Sequence, residues 1–260
     1  MTPSALILTA HGSRDSFAAD AAIYRHTDVL SGCTPFDRVT VAFHSKGPSI
    51  ADVLSALRAF NITIVPFMTS GGYFTKVVLQ RELAQSWRHT ARQVCVTSPV
   101  GTHPGIIPLV RRRVEYQLSR LRLDGGKTSL AIVGHGTSRH RQSRQATEDL
   151  VARLRHERVC SEAFPVFLED KPNVSSVPHR AKERNIIVIP FLMSCGQHTM
   201  QDIPDALGVE PSSRPGLPVL ARTKGRLILC DTPVGTDPGI VEIVAELASP
   251  PCTTPLEEVA

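Results

Sequence analysis

SALILTAHGS, residues 4–13, returns in altered form as SLAIVGHGTS, residues 129–138. In each stretch a short apolar run ends at a His-Gly pair, and the two histidines, His11 and His135, lie 124 positions apart. Self-similarity at one spacing is the sequence signature of a structural unit that occurs more than once. The chain is therefore predicted to contain two copies of one fold.

Further matches follow the same order along both halves. At the spacing of 124, residues 41–50 match 165–174 and 62–72 match 186–196, and at a spacing of 134, 98–107 match 232–241. The polar, glycine-containing stretch 122–127 is typical of a joint between two units. We predict a first repeat over residues 1–124, a second over 125–248 and a C-terminal tail over 249–260.

Each repeat alternates between strand and helix patterns. Short apolar, β-branched runs typical of buried strands occupy Ala5–Thr9, Val39–Phe43, Ile62–Phe67, Val94–Thr97, Leu130–Val133, Phe164–Leu168, Ile186–Phe191 and Leu227–Cys230. The stretches between these runs have helical spacing. Strands that alternate with helices form parallel sheets covered by helices on both faces. The predicted fold class is α/β: two tandem three-layer α/β/α domains, each with a mainly parallel four-stranded sheet.

Composition excludes several classes of protein. The 260 residues carry 29 Lys and Arg against 24 Asp and Glu, a net charge of +5, with 5% aromatic residues. These values argue against a disordered acidic chain and an aromatic-rich nucleic-acid platform, and the positive surplus suits an anionic ligand. The sequence has no apolar window long enough for a membrane span and no basic segment before its first apolar run. We expect a cytoplasmic protein with no membrane or nucleic-acid partner.

Three chemically active residues of the second repeat follow predicted strands. His135 comes directly after the first strand, Glu169 after the second, and His198 seven residues after the third ends at Phe191. Because ligands gather at the carboxyl ends of parallel strands, we expect the three side chains to share one cleft. Two imidazoles and a carboxylate bind divalent metal ions and accept protons near neutral pH. We predict a metal site at His135 and His198, with Glu169 assisting catalysis.

The first repeat lacks two of these three side chains. His11 retains the first histidine, but Ser45 and Phe74 occupy the positions of the other two. His44, next to Ser45, is an alternative ligand that would complete a first-repeat site, yet adjacent residues on a strand face opposite ways. We therefore expect one working site, in the second repeat, with the first repeat acting as a lid and wall.

Strands ending in HGS or HGT, FLED with a proline shortly after, and VIPFLMSCGQHTMQDIP together resemble the class II tetrapyrrole chelatases of the CbiX/SirB type. The resemblance covers roughly Ala5 to Leu247. It implies two chelatase-fold lobes with a tetrapyrrole cleft between them, and insertion of Co²⁺ or Fe²⁺ into sirohydrochlorin on the route to cobalamin or sirohaem. The family's metal-binding histidines fall on His135 and His198, and its acidic residue on Glu169. In many two-repeat members the histidine pair lies in the first half, where this chain retains only the first of the two.

The same resemblance implies cationic contacts, because sirohydrochlorin is a polycarboxylate. The candidate substrate-binding residues, which lie in or shortly after the two His-Gly motifs, are His11, Arg14, Arg139, Arg141 and Arg144. Co²⁺, Fe²⁺ and Ni²⁺ all accept the predicted ligand set, and no cofactor is expected beyond this metal substrate. A duplicated chain can build a two-lobed cleft within one molecule, which favours a monomer and leaves a homodimer open.

Other functions fit parts of the same pattern. A metal or tetrapyrrole carrier would use every residue named above, and only turnover separates it from an enzyme. A phosphohistidine phosphatase is disfavoured, because that chemistry requires an arginine before the histidine and Ala10 and Gly134 occupy those positions. The six cysteines lie far apart without a Cys-x-x-Cys pair, which favours buried or incidental thiols over a zinc or iron–sulfur site.

Overall fold

The fold comes from a computed structural model that describes residues 2–13, 17–86, 92–137, 141–212 and 216–249. The strands are β1 (Ser4–Ala10), β2 (Arg38–Phe43), β3 (Asn61–Pro66), β4 (Gln93–Val96), β5 (Thr128–Gly134), β6 (Glu162–Phe167), β7 (Asn185–Pro190), β8 (Val219–Thr223) and β9 (Arg226–Cys230). The helices are α1 (Phe17–Cys33), α2 (Ile50–Ala56), α3 (Leu79–Ser86), α4 (Ile106–Leu121), α5 (Arg141–Glu157), α6 (Val177–Arg180), α7 (Ile203–Leu207) and α8 (Ile240–Ala248). Two π-helical turns lie at Phe74–Val78 and His198–Asp202.

The first compact unit comprises residues 1–103 and 238–260. Its sheet has four parallel strands in the order β2-β1-β3-β4. Leu6, Ile7 and Leu8 of β1 are fully buried, as expected for a central strand of a parallel sheet that is covered on both faces. The predicted α/β class and the four-stranded parallel sheet are confirmed for this unit.

The second unit comprises residues 104–237, and its sheet has five strands in the order β6-β5-β7-β9-β8. Four of them are parallel, but β8 runs antiparallel to β9. The prediction of four strands is therefore wrong here by one edge strand. β8 and β9 are joined by a two-residue turn at Lys224 and Gly225, whose φ angles of 49° and 76° are those of a tight hairpin. β8 has the sequence VLART and is only partly buried. Its polar residues Arg222 and Thr223 interrupt the apolar run that marks the other strands.

The last helix of each sequence repeat belongs to the other compact unit. α4 follows the strands of the first sheet along the chain but lies in the second unit. There its buried Arg113 donates hydrogen bonds to the carbonyl oxygens of Thr232 (2.6 Å) and Pro233 (3.0 Å). The Arg113 guanidinium also lies 3.1 Å from Asp231 Oδ2. A buried arginine that donates to carbonyl oxygens and lies beside a carboxylate fixes α4 to the end of β9.

α8 belongs in the same way to the first unit, although it ends the second repeat. Its buried face is formed by Ile240, Ile243 and Val244, and Glu246 Oε2 lies 3.4 Å from His103 Nε2. The ranges 1–124 and 125–248 therefore stay a prediction about the sequence repeats, because the compact units divide the chain elsewhere. Within the predicted tail, residues 250–260 lie outside the described part of the chain.

None of the helices in the described ranges is both long and apolar enough to cross a membrane. Cys95 is disulfide-bonded, which corrects the interpretation of the cysteines as thiols at that position. Cys33, Cys160, Cys195 and Cys230 are free. The cytoplasmic location and the lack of a nucleic-acid partner stay predictions.

Candidate metal-ion and proton-transfer site

His135 is the first residue beyond the carboxyl end of β5, a strand buried along its whole length. Gly136 follows with a φ of +64°, and a Cβ at this position would lie 2.6 Å from Phe167 Cβ. Only glycine fits such a turn without strain. The backbone N–H of Glu169 donates to the His135 carbonyl oxygen at 3.0 Å, so the ends of β5 and β6 stay paired where the two side chains emerge.

The His135 and Glu169 side chains are neighbours with an open geometry. His135 Nδ1 lies 3.7 Å from Glu169 Oε2, and the side chains are 40% and 50% exposed. This distance is too long for a hydrogen bond, and a solvent-exposed ion pair contributes little to stability. Both groups are therefore available to a ligand or a proton.

His198 begins the π-helical turn His198–Asp202, which follows β7 and the loop after it. The turn starts where the Gly196 carbonyl oxygen accepts hydrogen bonds from the backbone N–H groups of Thr199 and Met200, both at 3.1 Å. π-helical turns are rare and occur often at functional sites. This turn places the His198 ring 5.6 Å from the His135 ring, centroid to centroid, with the two planes at 83°.

Asp202 is a site residue that the sequence analysis missed. Its Oδ2 lies 2.7 Å from His198 Nδ1, and the two residues are four positions apart on one turn. Because a carboxylate only accepts, Nδ1 carries the proton and Nε2 keeps its lone pair for a metal ion or a proton. Carboxylate partners of this kind orient metal-binding histidines. The spacing of His and Asp in HTMQD, one helical turn, was the available signal.

Arg144, a predicted substrate contact, is engaged within the protein. Its Nη1 lies 2.6 Å from Asp170 Oδ2 and 2.8 Å from the Lys171 carbonyl oxygen, and its Nε lies 2.9 Å from Glu148 Oε1. The guanidinium also stacks 4.6 Å from the centroid of the Phe167 ring. The hydrogen bond to Asp170 raises the pKa of Arg144. Arg144 thus ties α5 to the loop that carries Glu169, and its contact with substrate stays a prediction.

Of the other arginines predicted to contact the substrate, the structure describes only Arg141. Arg141 is exposed at the first residue of α5. Arg14 and Arg139 lie outside the described residues.

The first unit brings two histidines together as well. The His11 and His44 rings lie 5.5 Å apart, and the Phe74 ring packs edge-on against both. His44 Nδ1 is hydrogen-bonded to Glu82 Oε1, while Ser45 Oγ donates to the His11 carbonyl oxygen. The ring of His44 lies beside the His11 ring although Ser45 occupies the position equivalent to Glu169, because β2 ends at residue 43 and His44 lies beyond its pleat.

Neither histidine pair is a closed metal cage. In the portion of the chain that the structure describes, no three or more His, Cys, Asp or Glu side chains are grouped so as to hold a metal ion. The pair in the second unit offers two nitrogen ligands that are 40% and 52% exposed. Sites with few protein ligands and open positions are typical of metals that react or exchange.

Comparison with known proteins gives the same fold and family. The CbiX family model matches residues 5–117 and 129–250, one match to each repeat. The probable sirohydrochlorin cobaltochelatase of Halobacterium salinarum is 29% identical over 265 residues, which cover 94% of this chain and 90% of that protein.

Two solved structures share the fold along nearly the whole chain. CbiX, the terminal enzyme for biosynthesis of siroheme in denitrifying bacteria, is 19% identical with a TM-score of 0.73, and the match covers 94% of this chain and 96% of that one. The sirohydrochlorin chelatase SirB of Bacillus subtilis subspecies spizizenii, in complex with cobalt, is 14% identical with a TM-score of 0.70, over 95% and 94% of the two chains. At these identities the likeness shows the fold alone.

Proposed function

The chain belongs to the CbiX family of class II chelatases, and from this premise we propose that it inserts Co²⁺ or Fe²⁺ into sirohydrochlorin. The observation that carries the proposal is the pair of half-exposed imidazoles of His135 and His198, whose rings lie 5.6 Å apart at the carboxyl ends of the second sheet. The relative from Halobacterium salinarum, a probable sirohydrochlorin cobaltochelatase, supports the substrate. Whether the product enters cobalamin or sirohaem biosynthesis follows from which metal is inserted.

Insertion exchanges two protons for one metal ion. The free macrocycle carries two N–H protons, and these must leave as the divalent ion binds the ring nitrogens. His135 and His198 bind the incoming metal ion through neutral nitrogen and pass it to the ring. As the ion leaves, the freed imidazole nitrogens and the Glu169 carboxylate accept the two protons. Borderline ligands in an open geometry suit this transfer, because a closed thiolate site would hold the ion too firmly.

The supporting residues position this chemistry. Asp202 accepts the hydrogen bond of His198 Nδ1, which directs Nε2 to the metal ion, and the Arg144–Asp170 pair fixes the loop that carries Glu169. His11, Arg14, Arg139, Arg141 and Arg144 stay the proposed contacts for the substrate's carboxylates, with guanidinium forks matched to carboxylate geometry.

The test is metallation of sirohydrochlorin by the purified full chain, with Co²⁺ and Fe²⁺ in separate reactions under anaerobic conditions, followed by the absorption spectrum. We expect a rate above the spontaneous reaction, and we expect His198→Ala to lose most of it. His156→Ala, which removes an exposed imidazole from the last turn of α5, is the matched control and should retain the rate.

Two outcomes would contradict the proposal. Full activity of His198→Ala would show that the site is wrongly placed. Binding of one equivalent of metal or macrocycle with no rate above the spontaneous reaction would show a carrier in place of an enzyme.

A further inference from the structure

The second unit has a cavity of about 630 Å³ at the opposite end of its sheet from the histidines. The cavity is lined by the first residues of β6, Glu162–Phe164, whereas Glu169 follows the other end of the same strand. Six strand residues at about 3.3 Å each separate the two places by roughly 20 Å. We call this space the basic cavity; its charged lining residues are Arg111, Arg155, Arg158, Arg180, Lys182 and Glu162.

Three of its arginines have no carboxylate partner among the residues that the structure describes: Arg155, Arg158 and Arg180. Arg155 Nε donates to the Ala163 carbonyl oxygen at 2.7 Å. The Arg180 guanidinium lies 5.5 Å from the centroid of the Phe164 ring. These contacts orient two of the guanidinium groups without neutralising them.

The acidic groups near the cavity are satisfied within the protein, and Glu162 Oε2 lies 4.0 Å from Nζ of the lining residue Lys182. Glu162 Oε1 accepts hydrogen bonds from Ser129 Oγ (2.8 Å) and the Lys182 backbone N–H (2.6 Å). Arg111 is paired with Glu115 and Glu157 outside the cavity lining, and these two carboxylates raise the pKa of its guanidinium. The lining therefore keeps an excess of positive charge.

The remaining lining is apolar or neutral. Val159 and Cys160 are partly exposed, whereas Val114, Leu130 and Leu154 are buried in the core. Burial raises the pKa of the Cys160 thiol to about 12, so this lining residue carries no negative charge at neutral pH. The volume falls within the range of about 300–1,000 Å³ that small-molecule sites occupy.

We propose that the basic cavity binds a small organic anion with at least two negative charges and an apolar body, at a site separate from the metal-ion site. Arg155, Arg158 and Arg180 supply the charge-assisted hydrogen bonds, and the partly exposed side chains of Val159 and Cys160 contact the body of the ligand. Guanidinium forks bind phosphate and carboxylate alike, so the shared chemistry is a multivalent oxyanion. This site does not depend on the proposed chelatase function.

Calorimetric titration of the full chain with two probes tests the proposal: phenyl phosphate and benzene-1,3,5-tricarboxylate, with benzyl alcohol as the neutral control. We expect at least one anionic probe to bind and the alcohol not to bind. The double variant Arg158→Gln/Arg180→Gln should weaken binding by about tenfold or more, because it removes two charged hydrogen-bond donors. Arg153→Gln removes one charge from an exposed position of α5 outside the cavity lining, and it should leave the affinity nearly unchanged.

The pattern of results identifies the ligand or overturns the site. Binding of phenyl phosphate alone points to a phosphate ester, binding of the tricarboxylate alone to a polycarboxylate, and binding of both to the shared chemistry. The double variant His135→Ala/His198→Ala should bind as the parent protein does. No binding of either probe, unchanged binding in the Arg158/Arg180 variant, or loss of binding in the histidine variant would overturn the proposal.

Discussion

In both units an ion pair ties the loop after the second strand to the helix after the first strand, but the charges are reversed. In the first unit Lys46 on the loop contacts Asp20 on α1 at 2.5 Å. In the second unit Asp170 on the loop contacts Arg144 on α5 at 2.6 Å. Positions 20 and 144, and 46 and 170, are equivalent at the spacing of 124. The two repeats thus keep the contact while exchanging its acid and its base.

The aromatic residue beneath each pair explains what is kept. Lys46 lies 4.6 Å from the centroid of the Phe43 ring, and Arg144 lies 4.6 Å from the centroid of the Phe167 ring. A cation over an aromatic face is favourable whether the loop or the helix supplies the cation. Both units thus share the arrangement of cation, ring and carboxylate. The cation is on the loop in the first unit and on the helix in the second.

A second contact shows the same reversal at the exchanged helices. In the first unit Glu246 of α8 lies 3.4 Å from His103, and in the second unit Arg112 of α4 lies 3.6 Å from Asp237. These positions are equivalent at the spacing of 134. A return of α8 to the second unit would place a glutamate beside Asp237. The observed placement of α4 and α8 therefore brings opposite charges together, whereas α8 in the second unit would bring two carboxylates together.

The histidine pairs differ most between the units, and substitution of the first histidine in each should give the largest effect. We expect His135→Ala to lower the rate of sirohydrochlorin metallation by about 10²- to 10⁴-fold, the usual contribution of a positioned acid–base group. His11→Ala should lower the rate much less, because His11 is proposed only as a substrate contact and Phe74 occupies the position equivalent to His198. Initial rates from absorption spectra measure both. Equal losses would break the distinction between a working and a non-working unit.

In each histidine pair one ring is hydrogen-bonded to a carboxylate, and substitution of these carboxylates tests the same comparison between the units. Asp202→Asn should lower the rate by about tenfold or more, because carboxylates that hydrogen-bond to metal-binding histidines typically contribute that much to metal affinity or activity. ¹⁵N NMR of the His198 imidazole should show the two neutral tautomers mixing in the variant, a change that a merely structural role would not produce. Glu82→Gln, beside His44 in the first unit, is the matched control. A similar loss from both variants would contradict the assignment.

The reversed helix contacts should give a smaller effect. Arg112→Glu places two carboxylates together and should lower the free energy of unfolding by about 0.5 kcal/mol, since Arg112 is largely exposed and solvent screens the charge. Arg112→Lys keeps the charge and should retain most of the stability. Urea unfolding at low and high salt measures both variants, and salt should reduce the difference. An effect of Arg112→Glu that survives high salt, or an equal loss in Arg112→Lys, would show that charge does not act here.

The smallest effect should appear at acid pH in the Arg144–Asp170 pair. The Lys171 backbone N–H and the Arg144 guanidinium hold the pKa of Asp170 below its usual value. The stability from this ionised carboxylate is therefore present above the unfolded-state pKa of about 3.9 and is lost as pH falls through the lower folded-state value. Thermal melting between pH 2 and 6 should show a shallower acid decline for Asp170→Asn than for the parent protein. Asp149→Asn on α5 is the control, and an equal change there would contradict the role of Asp170.

Sequence patterns predicted the repeated α/β fold because the buried parallel strands are continuous apolar runs, such as LILTA and LAIV. β8 escaped prediction because VLART is an edge strand with polar residues, and its pairing depends on a tight turn and on β9 beside it. The exchange of α4 and α8 also left no local signal. A helix that buries one apolar face has the same pattern whichever sheet it covers.

Within the candidate site, sequence reasoning selected His135, Glu169 and His198 from their positions at strand ends, and the structure brings the two histidines close together. Asp202 was missed although it follows His198 by four positions, because the turn that joins the two residues is π-helical and does not appear in the hydrophobic periodicity. The contacts of Arg144 were missed for a different reason. An arginine after a His-Gly motif looks the same in sequence whether it faces a substrate or a neighbouring loop.

The exchange of α4 and α8 has a consequence for how the chain can be divided. Cleavage near residue 124, the joint of the repeats, would leave each fragment with one helix that belongs to the compact unit of the other. Neither fragment would then be an autonomous folding unit, although each contains a full set of predicted repeat elements. The molecule is in this sense an intramolecular domain swap, in which each half supplies a piece that the other needs to close its core.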